Sequence, residues 1–387
     1  MEALRCKLRK KLHGFSPDIP QGIDPWSMRG WREGLEEDLP VPALVLFALH
    51  RVLGFPQLDP GDKGRWAVGC SVVGQPVIFR DRKFGFEILV APGSTLEKKR
   101  IVLPLKGALR VLEEEYLKPL AAGQVQKGHV TIVNRFGEFQ SRYSFLREAA
   151  TEAYQEGVIR PVEHQPLPDG PLPRVAERTM AVLNRSIQAN RKGFFLSTAM
   201  VDAYFSFLEH RLILLRAFTG VPMGPGEFDR LVKSNWDDKL KSVIKLASTA
   251  TGQRLLEQLK RIKEKVRNPF AHGGMENDGG SIFVHVPQFG ALPANFSRIK
   301  DSVRFKHLPI EAEDHAAMAE VFDGLDSLLE SGSLAKAHRF VEAGVDPAFD
   351  PATIREYAEA LRGGPEAIDE YADIWSRDWE RHTNADY

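Results

Sequence analysis

Along the chain, hydrophobic positions first run together and then alternate. The stretch from Val41 to Leu53, carrying PALVLFALHRVL, is apolar nearly throughout and predicts a buried helix that ends at Gly54. Trp66, Val68, Cys70 and Val72 then alternate with smaller or polar neighbours, which is the period of a strand. Gly74-Gln75 predicts a II′-type turn into a second strand, Val77, Ile78 and Phe79. A third strand, Phe84 to Val90, is expected after the charged turn Arg80 to Lys83. Leu103, Leu105, Leu109, Leu112 and Tyr116 predict a helix over Thr95 to Leu117, with Pro104 expected to break or displace its first half. Gly128 to Asn134 reads as one more strand and Phe145 to Tyr154 as a helix.

Pro161, Pro166, Pro168, Pro171 and Pro173 then stiffen a segment with almost no apolar period, as an interdomain spacer would. Beyond it helices dominate. Val175 to Ala189 is amphipathic, whereas Phe194 to Phe218 is apolar nearly all round and belongs at the centre of a bundle. A linker with Pro222, Gly224, Pro225 and Gly226 precedes helices over Trp236 to Ala247 and Gly252 to Val266. Ser281 to Arg304 reads as an irregular or β insertion, helices resume at Glu311, and the tail from Asp350 to Arg381 forms two short helices split at Gly363-Gly364-Pro365. The expected fold is therefore mainly α. A small α+β module (1–160) and a Pro-rich linker (161–173) lead into a helical bundle (174–333, insertion 281–304) and a helical extension (334–387).

Composition narrows the partners. Lys plus Arg and Asp plus Glu number 52 each, so no global field draws the chain to nucleic acid or to an anionic membrane, and any phosphate contact must be local. With Cys6 and Cys70 as its only cysteines, the chain offers no disulfide framework and no four-cysteine zinc site; a reducing, cytoplasmic setting is expected. Met1 to Leu12 is basic and amphipathic but lacks the apolar core and cleavage site of a signal peptide. No run reaches the roughly 18 apolar residues of a membrane span.

The candidate chemistry sits in Leu255 to Gly274, LLEQLKRIKEKVRNPFAHGG. Leu255, Leu256, Leu259, Ile262 and Val266 form one buried helical stripe, and Lys260, Lys263 and Arg267 follow the same spacing on its flank as a positive ridge. Asn268 precedes Pro269, so the long helix is expected to stop there, with Asn268 as cap and Pro269 as first residue of a new turn. His272 lies four positions after the cap, and Gly273-Gly274 keeps bulk away from its ring. A guanidinium and an imidazole beside helix-terminal N–H groups suit a phosphate.

The string Arg267-Asn268-Pro269-Phe270-Ala271-His272 resembles the R-x(4-6)-H motif of HEPN ribonucleases, including the polar residue after the arginine and the glycine after the histidine. The apolar helix Val201 to Leu215, broken by Glu209, resembles the earlier helix of that family, which presents a polar residue to the same site. The resemblance covers about Arg174 to Ser333 and leaves the N-terminal module unassigned. It implies a HEPN-type bundle and RNA cleavage without metal or cofactor, in which the ribose 2′-OH attacks its own 3′-phosphate to leave 2′,3′-cyclic phosphate and 5′-OH ends. His272 would move the proton, since histidine titrates near neutrality. Arg267 would clamp phosphoryl oxygens, and Glu209 would complete the catalytic set. Asn268, Lys260 and Lys263 would contact substrate. The resemblance further implies an isologous homodimer with a composite cleft, and a toxin, antiviral-defence or stress role in which a trigger or antitoxin partner acts.

Plainer roles stand beside these. Arg267 suits a helix C-terminus as a simple charge, Glu209 needs a partner such as Arg211, Arg216 or a helix-packed lysine, and His210 suits packing or orientation. Lys260 and Lys263 also fit a solvated helix face, and Trp236 fits a core anchor. Asp237, Asp238 and Glu264 are too scattered for magnesium, and His285, His307 and His315 have no ligand spacing. No Walker A loop, HExxH, GxSxG or paired CxxC occurs. Glu87 with Lys98 and Lys99 lacks the spacing of a metal-dependent nuclease. A HEPN domain that only binds RNA, nucleotide or a partner protein is the alternative function.

Overall fold

The computed structural model describes residues 1–19, 28–32, 34–158, 172–268, 281–297, 302–304 and 310–384. They are mainly helical, with a small antiparallel sheet near the N-terminus. By packing the chain divides into two units, Met1–Lys127 with Asp373–Tyr387, and Gly128–Ala372. No described helix is long and apolar enough to cross a membrane.

In the first unit, helix α1 (Glu2–Lys11) precedes the short strands β1 (Phe15–Ser16) and β2 (Arg29–Trp31) and the helices α2 (Leu35–Asp38) and α3 (Ala43–Leu46). The last continues as a π-type turn over Phe47–Val52. Strands β3 (Gln57–Leu58), β4 (Gly64–Val72), β5 (Gln75–Arg82) and β6 (Gly85–Val90) follow. The sheet order is β1-β4-β5-β6-β2, with β3 beside β4. The alternation in β4 does what its period dictates: Trp66, Val68, Cys70 and Val72 join Val77, Phe79, Ile88 and Val90 on the face covered by helices. On the other face Glu87 is buried, its carboxylate held by Arg80 at 2.7 Å and Arg32 at 2.9 Å.

Three local expectations change. The β4–β5 turn is Val73-Gly74, with φ of 51° and 76°, so two left-handed residues make a I′ geometry and Gln75 is already paired with Val72. Asp81 and Arg82 belong to β5, not to a turn. Helix α4 (Lys98–Leu112) runs straight through Pro104. The missing N–H and ring clash cost about 3 kcal/mol. Burial of Ile101, Val102, Leu105, Ala108, Leu109 and Leu112, at roughly 1.5–3 kcal/mol for each large side chain, outweighs that. A π-type turn (Glu113–Leu117) and helix α5 (Lys118–Lys127) complete this stretch.

The second unit is organised on two long helices, α6 (Phe136–Gly157) and α7 (Leu172–Ala217). The sequence pattern suggests separate helices over Val175 to Ala189 and Phe194 to Phe218, but α7 is continuous for 46 residues. Two glycines on these helices serve close approach. A Cβ on Gly193 would stand 2.8 Å from the Tyr154 ring, and one on Gly157 would stand 2.8 Å from Asn190. Gly128 to Asn134 is no strand; among the described residues it makes one bridge, Thr131 to Ala348, and its Asn134 side chain donates to the Val341 and Val345 carbonyls within the second unit.

Shorter helices follow: α8 (Glu227–Lys233), α9 (Trp236–Val243) and α10 (Ala250–Ile262). The 281–304 region supplies an antiparallel set, β7 (Ser281–Val286), β8 (Gly290–Ser297) and β9 (Ser302–Arg304). Helix α11 (Ala312–Glu330) starts on a capping box between Glu311 and Asp314, and its Phe322 stacks on Tyr204 of α7 at 3.8 Å. Helices α12 (Ala335–Glu342), α13 (Pro351–Gly363) and α14 (Pro365–Asn384) close the chain.

Candidate functional site

Thr249 caps α10 by accepting the Gly252 N–H, which sets the register of everything downstream. Leu255, Leu259, Ile262 and Val266 are buried as their spacing dictates. Past Ile262 the helix widens into a π-type turn, Lys263–Arg267. This looser winding brings Lys263 and Arg267 over one aromatic ring, Phe205.

Phe205 belongs to a face of α7 on which Asp202, Phe205 and Glu209 recur at helical spacing. Arg267 Nε donates to Asp202 Oδ1 at 2.9 Å, and its guanidinium lies 5.8 Å from the Phe205 ring centre. Lys263 Nζ lies 5.5 Å from Phe205 and 5.7 Å from Trp236, whose buried ring meets Phe205 edge-on at 5.4 Å. Burial first, then the charges of Arg267 and Lys239, push the Lys263 amine below its ordinary pKa, with Glu209 opposing.

A second layer of ion pairs borders this cluster. Lys239, almost wholly buried, donates to Glu209 at 3.1 Å and to the Ser234 carbonyl at 2.5 Å. Lys260 reaches Asp237 at 3.3 Å, beside Lys241 at 2.9 Å. Burial alone would raise the Asp237 carboxyl, yet hydrogen bonds and charge from Lys241 and Lys260 together hold it below its ordinary value.

Of the residues predicted from sequence, Arg267, Lys263, Lys260 and Glu209 therefore fall in one neighbourhood of α7, α9 and α10. Glu209 is satisfied by a helix-packed lysine, Lys239, and not by Arg211 or Arg216. Asn268 departs from expectation: it is not an N-cap but continues the helix with φ −61° and ψ −47°. A following proline disfavours this conformation without forbidding it, and packing of the buried Val266 stripe holds it. His272, Pro269, Gly273 and Gly274 lie outside the described residues. Sequence inspection missed Asp202, the carboxylate that meets Arg267. The available signal was its position seven residues before Glu209, on the same helical face.

Among the described residues Arg267 meets one carboxylate, through Nε, and its side chain is 25% exposed, so part of it lies within reach of an anionic oxygen. Two cations thus lie against aromatic rings beside a carboxylate that is half in solvent.

His210 and His315 serve packing. His210 accepts the Arg135 N–H at 3.0 Å and lies against Phe139. His315 lines a cavity of about 380 Å³ with Tyr154, Val158 and Ala319, but Ser197 and Thr151 take both ring nitrogens at 3.0 Å. Burial, then Arg147, lowers its pKa, and that cavity shares no lining residue with the Arg267 cluster. Among the described residues no group of three or more His, Cys, Asp and Glu could hold a metal ion. Comparison with protein-family models, with curated proteins and with solved structures gives no match to this chain.

Proposed function

We propose that the chain is an endoribonuclease of HEPN type, acting in the cytoplasm without metal. The observation that carries this reading is Arg267, held by Asp202 with a quarter of its side chain exposed, five residues before His272. In the proposed reaction the ribose 2′-OH loses its proton to one imidazole and attacks the adjacent phosphorus. The P–O5′ bond breaks, and the leaving oxygen takes a proton from a second acid. Arg267 and Lys263 hold the non-bridging oxygens as negative charge builds on them.

One copy brings one motif histidine, so the second proton handler comes from a symmetry-related copy, which makes the active species a homodimer. Glu209 keeps Lys239 in place and thereby shapes the cationic wall. Lys260 and Asn268 flank the substrate backbone, and a defence or stress role would then follow from controlled RNA damage.

The test is end chemistry. Incubated with RNA in EDTA, the protein should leave 2′,3′-cyclic phosphate and 5′-OH ends, lost in both Arg267→Ala and His272→Ala. RNA bound but uncut by the dimer would replace the enzyme with the binding alternative.

A further inference from the structure

Although the whole chain is neutral, its cations are not evenly spread. The first 127 residues carry 20 Lys and Arg against 15 Asp and Glu. Much of that excess is on two helices that pack together in the first unit, α1 and α4. They run antiparallel: Lys7 midway along α1 reaches Glu115 just past the end of α4 at 2.7 Å, and Lys11 at the end of α1 lies back over Gly107, where an added Cβ would be 3.7 Å away. Their leucines, Leu4, Leu8 and Leu105, are spent on the core.

What remains outward is basic. Arg9, Lys10 and Lys11 of α1 and Lys99, Arg100 and Arg110 of α4 are all exposed. Among the described residues none of these six has an acidic partner, whereas Lys106 between them is taken by Asp38. No acidic side chain lies anywhere within α4. Lys99 and Arg100 moreover sit in its first turn, where the helix dipole disfavours positive charge, while Lys98 beside them is paired with Asp38 at 3.4 Å. The placement of Lys99 and Arg100 gains nothing from the helix dipole and suits a polyanion.

We propose that the exposed basic face of α1 and α4 binds the phosphate backbone of RNA without regard to sequence. Naming RNA rests on the function proposed above; the polyanion chemistry does not. An anionic bilayer is disfavoured because α1 has buried its leucines, leaving Leu103 as the exposed large apolar side chain on α4, too little to insert. Backbone contact through lysine and arginine is sequence-tolerant and salt-sensitive, which lets such a surface collect substrate for a site built on other helices.

The experiment uses the full chain and a fluorescein-labelled 2′-O-methyl RNA of about 20 nucleotides, which has no free 2′-OH to react. Anisotropy titrations at several salt concentrations compare wild type with K10E/K11E/K99E/R110E. The expected result is at least about tenfold weaker binding, with a salt slope shallower by about 0.7 for each phosphate that is no longer neutralised. R355E/R362E on α13 should bind as wild type. Should the reversal impair folding, judged by its thermal midpoint, K10Q/K11Q/K99Q/R110Q keeps the test intact, with affinity reduced by about threefold or more. Equal affinity and slope in wild type and the charge variants overturns the proposal. So does a face that binds phosphatidylserine vesicles and releases them on reversal while RNA binding is unchanged. An uncut natural RNA still held through this face removes the nuclease reading alone; a cutting enzyme indifferent to these charges removes this one alone.

Discussion

Two arginines meet carboxylates along α7, and they differ chiefly in their access to water. Arg211 is fully buried, holds Asp326 at 2.9 Å and Glu330 at 3.0 Å, and lies over the rings of Phe136 and Phe207. Arg267 is a quarter exposed, holds Asp202 alone among the described carboxylates, and lies over one ring, Phe205. The chemistry is the same in both. An enclosed guanidinium fixes α11 against α7, and the one nitrogen left without a partner among the described residues, Nε, is buried away from any ligand. A partly open one gains little stability from its partner and stays within reach of solvent.

The sharpest way to break this contrast is to remove each arginine in turn. Arg211→Met strands the mostly buried Asp326 and should lower unfolding free energy by about 3–5 kcal/mol in urea denaturation. A loss below about 1 kcal/mol would erase the distinction. Arg267→Ala should instead reduce RNA cleavage by about 100-fold or more, with a stability change within about 1 kcal/mol. If it unfolds the protein as Arg211→Met does, Arg267 is a structural residue.

Glu209→Gln takes the counter-charge from nearly buried Lys239 and is expected to cost about 1–3 kcal/mol of stability. Cleavage by the folded variant should fall far less than in Arg267→Ala; an equal fall would make Glu209 a participant in the chemistry.

The smallest effect concerns pH around Arg211. Burial, then the Arg211 charge, push His338 down to about 4, so protonation favours the unfolded chain and this contribution is lost as pH falls from about 6.5 toward 4. Burial pushes Asp326 up to about 6 against the pull of Arg211, so its protonation favours the folded chain and its contribution grows as pH falls from 6. The two oppose each other over nearly the same window. In His338→Gln the opposition is lifted, and the stability of the variant should gain on wild type between pH 6.5 and 4. A difference that is constant with pH would show that His338 is not held neutral.

Much of this was legible from period and punctuation. Alternation marked β4 to β6, the apolar stripe marked α10, and the Gly363-Gly364-Pro365 break fell between α13 and α14. Those signals are local, carried by residues within one or two turns of each other. Pro104 misled for the converse reason, and Gly193 lies inside the continuous α7 for the same one. Each is a poor helix former in isolation, and each is overruled by a neighbour in space, the core beneath α4 for the first and Tyr154 for the second.

At the candidate site the division is similar. Chain order alone puts Lys260, Lys263 and Arg267 on one flank, because helical spacing is a local property. That Arg267 meets Asp202, 65 residues earlier, while Glu209 goes to Lys239 and Arg211 to α11, follows from how helices pack. Charge tells each side chain what kind of partner it needs; the packed helices choose which one lies within 3 Å or so.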